Sequence, residues 1–338
     1  KRAIYVLSFL SIGISVLAMV QFVSPATSDV NIYSYVDGEA VRADTTMIYS
    51  TGHARVASTF SYITGFSDFS ILVPALLLSL GLGTTDPKPR RAALAAALAS
   101  AATVPMTGSR ATLVLCVAVL LIIAWSAGLF FTAAGRRVLM GAVAGAVIGT
   151  AAFPEALQGV QDRFNTSNEE TQSRFLEVFQ ILPPVAIATG DYPIIGLGTG
   201  MQQNARGMMH LPDLSYGAEN ENQRYLIEVG PLGFIFVWLA KLGLVVALLR
   251  SRKILQKAGK GAASGAALAY AMLTFLGSFG FDHVWQALYF SGVGFILSEV
   301  LSTMRAEQES KLNLTAVTLG ASSVNALRSR DQPWSMTP

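Results

Sequence analysis

Arginine side chains in the polar segments of this sequence are the residues best suited to chemistry. Arg110 stands between two apolar runs, and Arg163, Arg174 and Arg224 lie in the longest polar region. A guanidinium group presents a rigid fork of donors that matches a phosphate or a carboxylate in two hydrogen bonds. These arginines are therefore candidate anion clamps, able to hold a lipid diphosphate. For Arg163 and Arg174, a solvated helix with salt bridges to acidic neighbours is the alternative.

A carboxylate and an amide stand at the end of the same polar region. Glu219 and Asn220 come shortly before the apolar run that starts near Gly230. A carboxylate at such a place can accept a proton from a sugar hydroxyl group. A capping residue or a solvated acidic turn is the alternative interpretation of either residue taken alone.

The composition indicates that these residues belong to a membrane protein. Only 13% of the 338 residues are charged, 52% are hydrophobic, and the mean hydropathy is +0.49. A soluble domain carries about 25% charged residues. The basic residues sit in short clusters between apolar stretches, which argues against binding of nucleic acid. The single cysteine, Cys116, excludes a disulfide framework within the chain, and the three separated histidines do not favour a metal site.

Eight apolar runs are candidate membrane spans, because a helix that crosses the ~30 Å hydrocarbon core needs about 20 mostly apolar residues. They cover residues 3–23, 69–85, 92–107, 111–131, 138–154, 230–249, 264–281 and 284–303. The sequence therefore predicts an all-α integral membrane protein with about eight transmembrane helices. The third and fourth runs are separated only by Thr107-Gly108-Ser109-Arg110, which predicts a tight helical hairpin.

The distribution of lysine and arginine predicts the orientation of the chain. With both visible termini in the cytoplasm, most basic residues fall inside, in agreement with the positive-inside rule. The outer segments then contain arginine and no lysine, namely Arg42, Arg55, Arg110, Arg163, Arg174, Arg206 and Arg224. The alternative is chance combined with a preference of this chain for arginine.

Four regions follow from these spans. Residues 1–154 form the first part of a membrane bundle with an outer loop at 24–68, and residues 155–229 form a large, partly helical periplasmic loop. Residues 230–305 form the last part of the bundle. From 306 to 338 the chain is polar, and we expect a disordered cytoplasmic tail.

Two further features leave alternatives open. The run 196–200 (Gly-Leu-Gly-Thr-Gly) lacks the strand and helix of a dinucleotide fingerprint, so we interpret it as a tight turn whose N–H groups can approach an anion. Lys241 lies inside an apolar span. It can snorkel, pair with Glu299 or Asp282, or line a cavity. Snorkelling is also the alternative for Arg110.

The order of these pieces resembles the O-antigen ligase and O-antigen polymerase family, integral membrane glycosyltransferases of bacterial surface polysaccharide assembly. The resemblance covers residues 55 to about 303. It is carried by residues 55–60 and 65–67, 107–113, Arg174 with 193–200, and Glu219-Asn220 with 225–233. In the family's ligases a histidine precedes the asparagine at the loop's end. Glu219 occupies that position here, which suits a polymerase or another polysaccharide-joining member.

The resemblance implies a multi-pass enzyme of the bacterial inner membrane, with further spans upstream of Lys1. It implies a donor glycan on a polyprenyl diphosphate, a glycan or lipid-glycan acceptor, no cofactor and no metal. Other polysaccharide-assembly proteins are expected partners. Arg110, Arg174, Arg163 and Arg224 would hold the diphosphate. Glu219, followed by Asn220, would be the general base.

Two other classes of protein are compatible with the sequence. A transporter or a flippase of lipid-linked glycans explains the spans and Lys241 equally well. Such a protein favours broken helices in two related halves, and the sequence shows no such pair. A non-catalytic scaffold of an assembly complex is the third class. The long outer loop with arginines and acidic residues favours the enzyme.

Overall fold

The computed structural model describes residues 1–36, 39–42, 52–60, 62–133, 135–137, 140, 153–156, 158, 161, 195–198, 221–277 and 283–330, without the side chains of 33–36, 39–42 and 313–330. These residues are mainly helical. The helices are α1 (Arg2–Val23), α2 (Ile63–Gly83), α3 (Pro87–Ala102), α4 (Arg110–Ser126), α5 (Glu221–Lys257), α6 (Gly261–Leu276) and α7 (His283–Arg330). Strands β1 (Ile32–Val36) and β2 (Glu39–Arg42) form an antiparallel hairpin.

Four of the described helices are long and apolar enough to cross a membrane. They are α1, α2, α5 and the part of α7 from His283 to Leu312. Helices α4 and α6 are apolar but have only 17 and 16 residues. Helix α3, predicted as a span over 92–107, is 16 residues long and begins with Pro-Lys-Pro-Arg-Arg. It does not qualify because it is short and its first turns carry three positive charges. The predicted span 138–154 lies almost entirely outside the described residues.

Helix α2 is the central helix of the described bundle. It packs against α1, α3, α4, α6 and α7, and Leu72 and Leu77 are buried on it. The helix begins at Ile63, six residues before the predicted span. The side chains of Phe66 and Phe69 in its first turns stack on each other and contact Phe60. A phenylalanine cluster therefore fixes the start of the central helix.

Helices α4 and α6 approach each other closely at two glycines. A Cβ atom on Gly265 would lie 2.8 Å from the Cα atom of Ile123, and one on Gly261 would lie 2.4 Å from the carbonyl oxygen of Ser126. Small residues at helix contacts allow such close packing in membrane proteins. The contact also aligns the last turn of α4 with the first turn of α6.

The predicted all-α class is confirmed for the described residues, which are mainly helical, and the loop 24–68 adds one short β1–β2 hairpin. One region corrects the sequence prediction. The tail from 306 was expected to be disordered, but α7 continues to Arg330. Good helix formers follow Met304, and Lys311 pairs with Glu307 at 2.9 Å, one helical turn earlier. Residues 331–338 lie outside the described residues.

The helix termini gather at two opposite ends of the bundle. At the cavity end, a cavity lies between the start of α1, the loop after α2, the end of α4 and the α5–α6 junction. Its lining includes Ile4, Thr84, Arg90, Ser126, Lys260 and Glu299. The opposite end contains the turn at 107–110 between α3 and α4 and is called the hairpin end. There the segment before α2 packs on the loop between α3 and α4, and the N–H of Val56 donates to the carbonyl oxygen of Met106 at 3.0 Å.

Candidate functional site

Arg110 is the first residue of α4, at the hairpin end. A 3-10 turn (Val104–Thr107) leads into Gly108, whose φ of +66° is the left-handed conformation that favours glycine. Ser109 then caps α4, because its Oγ accepts a hydrogen bond from the N–H of Thr112. The predicted turn at 107–110 is present and places Arg110 where α4 starts. The predicted tight helical hairpin is only partly matched, because α3 ends at Ala102 and packs on α1 and α2, whereas α4 packs on α2 and α6.

Arg55 lies against the same hairpin. Its Nε donates to the carbonyl oxygen of Thr107 at 3.1 Å, and its neighbours Ala54 and Val56 are buried. The sequence indicated Arg55 as an outer arginine without assigning it to the site. The structure brings it to within three positions of Arg110 along the hairpin. Two arginines from distant parts of the chain therefore belong to one end of the bundle.

Helix α5 reverses its direction at Gly230. This glycine has φ 70° and ψ 176°, which interrupts the helix. Glu221 and Lys241 would be about 30 Å apart on a straight helix. Instead the Lys241 Nζ atom lies 3.3 Å from Glu221 Oε2. Because the two side chains cannot span 30 Å, the segments before and after Gly230 must lie side by side. The segment after the turn begins with Pro231, as the predicted span boundary near residue 230 indicated.

The glycine-rich turn closes this reversal. The N–H of Leu197 donates to the carbonyl oxygen of Ile227, and that of Gly198 donates to the carbonyl oxygen of Glu228, both at 2.9 Å. The usual helical donor to Ile227 would be the residue four positions on, which is a proline without an N–H. Gly196 has φ +81°, and a Cβ atom there would lie 2.4 Å from the Glu228 carbonyl oxygen. Over its described residues, 195–198, the predicted turn is present, but the N–H groups of Leu197 and Gly198 bind carbonyl groups instead of an anion.

The Lys241 side chain is buried in a site that stabilises its positive charge. Besides the Glu221 carboxylate, its Nζ contacts the carbonyl oxygen of Gly277 at 3.4 Å. It also lies 5.5 Å from the ring centroids of both Tyr225 and Trp238. The Tyr225 hydroxyl donates to the other carboxylate oxygen of Glu221. The ammonium group of Lys241 is therefore surrounded by a carboxylate, a carbonyl oxygen and two aromatic rings.

This arrangement decides between the interpretations of Lys241. Pairing with Glu299 is wrong, because Glu299 lies 2.7 Å from Lys260 at the cavity end. Asp282 lies outside the described residues. Glu221 is 20 residues from Lys241 and becomes its partner only because the helix reverses. A glycine followed by proline in the sequence is the one signal that indicated such a break.

Arg224, predicted as a diphosphate ligand, already has a carboxylate partner. Its Nε donates to Glu228 Oε1 at 3.3 Å, one turn further along the same helix. The Glu228 side chain has no exposed surface and that of Arg224 is 18% exposed. A buried carboxylate of this kind needs a cation beside it. The charge of Arg224 is therefore balanced within the helix, a role that the sequence did not indicate.

Helix lengths place Lys241 and Arg110 at similar heights above the cavity end. At 1.5 Å per residue, Arg110 lies about 24 Å from the other end of α4, and Gly277 lies about 24 Å from the start of α6. Those two helix termini are in contact at the cavity end. Lys241 contacts Gly277, whereas Pro231 lies roughly 15 Å further out on α5. The Lys241–Glu221 pair thus lies at the level where α4 starts and α6 ends, below the tip of α5.

The opposite face of α5 carries exposed apolar side chains at helical spacing. They are Leu232, Ile235, Phe236, Leu239, Leu242, Val246 and Leu249. Along α5 these residues lie both before and after Lys241, whose own side chain is buried. A face of this type suits contact with lipid tails. The ion pair is therefore separated from the apolar outer face by the thickness of one helix.

The remaining predicted site residues, Glu219, Asn220, Arg163 and Arg174, lie outside the described residues, as does His210. Among the residues that are described, no group of three or more His, Cys, Asp or Glu side chains could hold a metal ion. Comparisons of the chain with protein-family models, with curated proteins and with solved structures give no match. Function is therefore inferred from the chemistry of the site.

Proposed function

We propose that the protein is a glycosyltransferase that joins polyprenyl-diphosphate-linked glycans at the outer face of the bacterial inner membrane, as a polymerase or a ligase. The observation that carries the proposal is the hydrogen bond from Arg55 to the hairpin that leads into Arg110. It gathers two arginines at one end of the bundle, opposite the cavity that Arg90 and Lys260 line. Guanidinium groups suit a diphosphate because each can bind it in two hydrogen bonds.

The proposal includes an orientation in the membrane. Both termini of the sequence would lie in the cytoplasm and the region 155–229 in the periplasm. The cavity end would then face the cytoplasm, and it contains the contact of Lys1 with Asp86 at 3.1 Å as well as Arg90 and Lys260. This distribution supports the orientation, because lysine-bearing segments favour the cytoplasmic side. The hairpin end would face the lipid-linked donors.

In the proposed reaction, an acceptor hydroxyl attacks the anomeric carbon of the donor glycan. A new glycosidic C–O bond forms, the C–O bond to the polyprenyl diphosphate breaks, and the hydroxyl proton passes to Glu219, with Asn220 beside it in sequence. Arg110, Arg174 and Arg163 would stabilise the charge on the departing diphosphate. Arg224 would have to share its charge between the diphosphate and Glu228. The glycan is already activated on the lipid, so no nucleotide is needed.

Glycan analysis in a strain of the native host that lacks the gene tests this function. Accumulated single repeat units on the lipid carrier identify a polymerase. Full-length polymer that remains on the carrier identifies a ligase. Unchanged lipid-linked and free glycans contradict both. Complementation with the wild-type gene and with Arg110→Ala, alongside Arg90→Ala from the cavity end, separates a site effect from a general loss of protein.

A transporter or flippase is the second candidate, and the break in α5 favours it. Broken helices and buried intramembrane charges are typical of transporters. Helix α5 is broken at Gly230, and Lys241 and Glu221 form a buried ion pair. The purified protein in vesicles that contain lipid-linked oligosaccharide distinguishes the two functions. New glycosidic bonds support the enzyme, whereas donor that changes leaflet without new bonds supports the transporter.

A further inference from the structure

We propose that the cavity at the cavity end binds the phosphate-bearing headgroup of a membrane phospholipid. Its volume is about 660 Å³, which falls within the roughly 300–1,000 Å³ of small-molecule sites. The cavity lies at the opposite end of the bundle from Arg110, so this inference is independent of the proposed glycan transfer. A transporter or a scaffold with the same fold would have the same site.

The charges on the cavity wall favour an anion. Arg90 and Lys260 contribute two positive charges and Glu299 one negative charge, so the side chains that line the cavity carry a net charge of +1. Lys260 Nζ lies 2.7 Å from Glu299 Oε2, 2.9 Å from Ser302 Oγ and 3.5 Å from the Glu299 carbonyl oxygen. An ammonium group has three N–H donors. Because the third contact is long, one donor can turn to a phosphate oxygen while Glu299 and Ser302 keep the lysine in place.

The first turn of α6 adds backbone donors to the same wall. The helix begins at Gly261, and residues 260–263 line the cavity. The first N–H groups of a helix have no acceptor within it, and helix N-termini of this kind bind phosphate. The end of α5 beside it is closed, because the N–H of Lys260 donates to the carbonyl oxygen of Leu255 at 2.9 Å. The α5–α6 junction therefore presents mainly hydrogen-bond donors to the cavity.

A buried hydroxyl group on α2 points to a ligand independently of the charges. Ser79 lines the cavity and is 1% exposed, and its Oγ has no hydrogen-bond partner among the described residues. Buried polar side chains in native proteins are nearly always hydrogen-bonded. A headgroup oxygen in the cavity supplies the partner that this hydroxyl lacks. Residues 80, 82 and 83, at the end of α2, line the same wall, and the last carbonyl groups of a helix can accept hydrogen bonds from headgroup hydroxyls.

Apolar side chains around the charges favour a lipid over a soluble phosphate. Those that line the cavity are Ile4, Leu80, Leu82, Leu129 and Phe295. The cavity lies where α1 begins and α2 ends, and both helices are long and apolar enough to cross a membrane. Basic pockets between membrane helices near the surface bind anionic headgroups. A phospholipid would place its phosphate against the charged wall and the start of its acyl chains against the apolar wall, whereas a soluble phosphate needs no apolar wall.

The experiment measures ligand binding to the purified full-length protein in detergent by native mass spectrometry. Three probes separate the contributions of the acyl chains and the phosphate. Phosphatidylglycerol carries both, diacylglycerol with the same chains lacks the phosphate, and glycerol phosphate lacks the chains. No step of the assay involves a glycan, so its result stands whether or not the proposed function does.

Two pairs of variants test the place of binding. Gly83→Phe puts a ring at the cavity wall, where a Cβ atom has nothing within 4 Å, and Gly13→Phe is its control at an equally open position on α1. Lys260→Met removes the cation, and Lys311→Met is its control, because Lys311 also pairs with a glutamate, at 2.9 Å, but does not line the cavity. Ser79→Ala removes the buried hydroxyl. All variants are compared after elution as a single species.

We expect one saturable site for phosphatidylglycerol in the wild type. Gly83→Phe should abolish it, and Lys260→Met should weaken it about tenfold, as the loss of a hydrogen bond to a charged group implies. Ser79→Ala should weaken it about fivefold. Without lipid, Ser79→Ala should be at least as stable as the wild type, because its hydroxyl has no protein partner to lose among the described residues. Both control variants should bind like the wild type.

Four results would overturn the proposal. Absence of saturable phosphatidylglycerol binding removes the site, and diacylglycerol bound as tightly removes recognition of the phosphate. Glycerol phosphate bound as tightly as phosphatidylglycerol shows that the ligand is a soluble phosphate and not a lipid. Wild-type affinity in both Gly83→Phe and Lys260→Met, or equal losses in Gly13→Phe and Lys311→Met, shows that lipid binds elsewhere on the protein.

Discussion

Two lysine–glutamate ion pairs at opposite ends of the bundle show how differently the same chemistry behaves. Lys260 and Glu299 lie 2.7 Å apart at the cavity end, with 36% and 34% of their side chains exposed. Lys241 and Glu221 lie 3.3 Å apart, but only 4% and 16% exposed. The shorter pair is the weaker contributor to stability, because water screens its charges and exposed pairs add about 0–1 kcal/mol. Burial and not distance decides what each pair does.

The buried pair has no simple explanation in stability alone. Two charges lose their hydration when they are buried, and a well-packed apolar replacement of similar volume is often neutral or stabilising. The Lys241–Glu221 pair does fix one arrangement of the chain, the reversal at Gly230. The exposed pair joins the start of α6 to α7, and these two helices already pack on each other. The buried pair therefore specifies how the chain folds at Gly230, whereas the exposed pair remains in contact with water and contributes little to stability.

The largest effect on stability is expected for Lys241→Met. It leaves the Glu221 carboxylate in a mostly buried place without its cation, which costs about 3 kcal/mol of unfolding free energy. Lys260→Met should cost no more than about 1 kcal/mol. Denaturant unfolding in detergent measures both variants. Equal losses in the two would remove the distinction between the pairs, and a Lys241→Met, Glu221→Leu double variant should regain most of the loss.

Gly196→Ala should come next, because it disturbs the turn that closes the reversal. The new Cβ atom would meet the carbonyl oxygen of Glu228 at 2.4 Å, at a positive φ. Forced contacts of this kind cost about 1–3 kcal/mol. Gly243→Ala on α5 is the control, since a Cβ atom there has nothing within 4 Å and alanine favours a helix. A Gly196→Ala protein as stable as the Gly243→Ala protein would show that the turn does not support α5.

A smaller effect is expected for Glu299→Gln, and it should depend on salt. The carboxamide keeps the size of the side chain and removes the charge that faces Lys260. Exposed pairs weaken as the Debye length falls from about 10 Å at 0.1 M salt to 3 Å at 1 M. The stability difference from wild type should therefore shrink at high salt, whereas that of Glu221→Gln should persist. Melting temperatures of both variants at the two salt concentrations measure this.

The smallest effect is expected for Asp86→Asn at the cavity end. The Lys1 ammonium group and the N–H of Lys88 lower the pKa of Asp86 below its usual value. A carboxyl whose pKa is lower in the folded state stabilises the fold above its unfolded pKa, about 3.9, and loses that contribution as the pH falls. Asparagine keeps the cap and removes the charge. Melting temperatures should thus differ slightly at pH 7, and the difference should shrink as the pH falls below about 3.9; a constant difference would contradict this origin.

Local sequence patterns indicated the helices, because each depends on its own run of apolar residues. The turn before Arg110 was predictable for the same reason, since Gly108 and Ser109 are local signals for a turn and a cap. The continuation of α7 past residue 306 was missed, because polar composition was weighed above helix propensity.

Contacts between distant residues were out of reach of such patterns. Arg55 meets Thr107 across 52 residues, and Lys241 meets Glu221 only after a reversal that no periodicity shows. Local sequence showed that Lys241 needed a partner, but several carboxylates could have served. The partner depended on how α5 folds back, which is a property of tertiary packing.

Polymer formation by Arg110→Ala and Arg174→Ala in the strain that lacks the gene tests the central claim most directly. Loss of an anion-stabilising donor lowers rates on the order of 10²–10³. Both variants should insert at wild-type abundance and form almost no polymer, while Arg90→Ala forms polymer of normal length. Normal chain lengths from both Arg110→Ala and Arg174→Ala would contradict a diphosphate-handling site at the hairpin end.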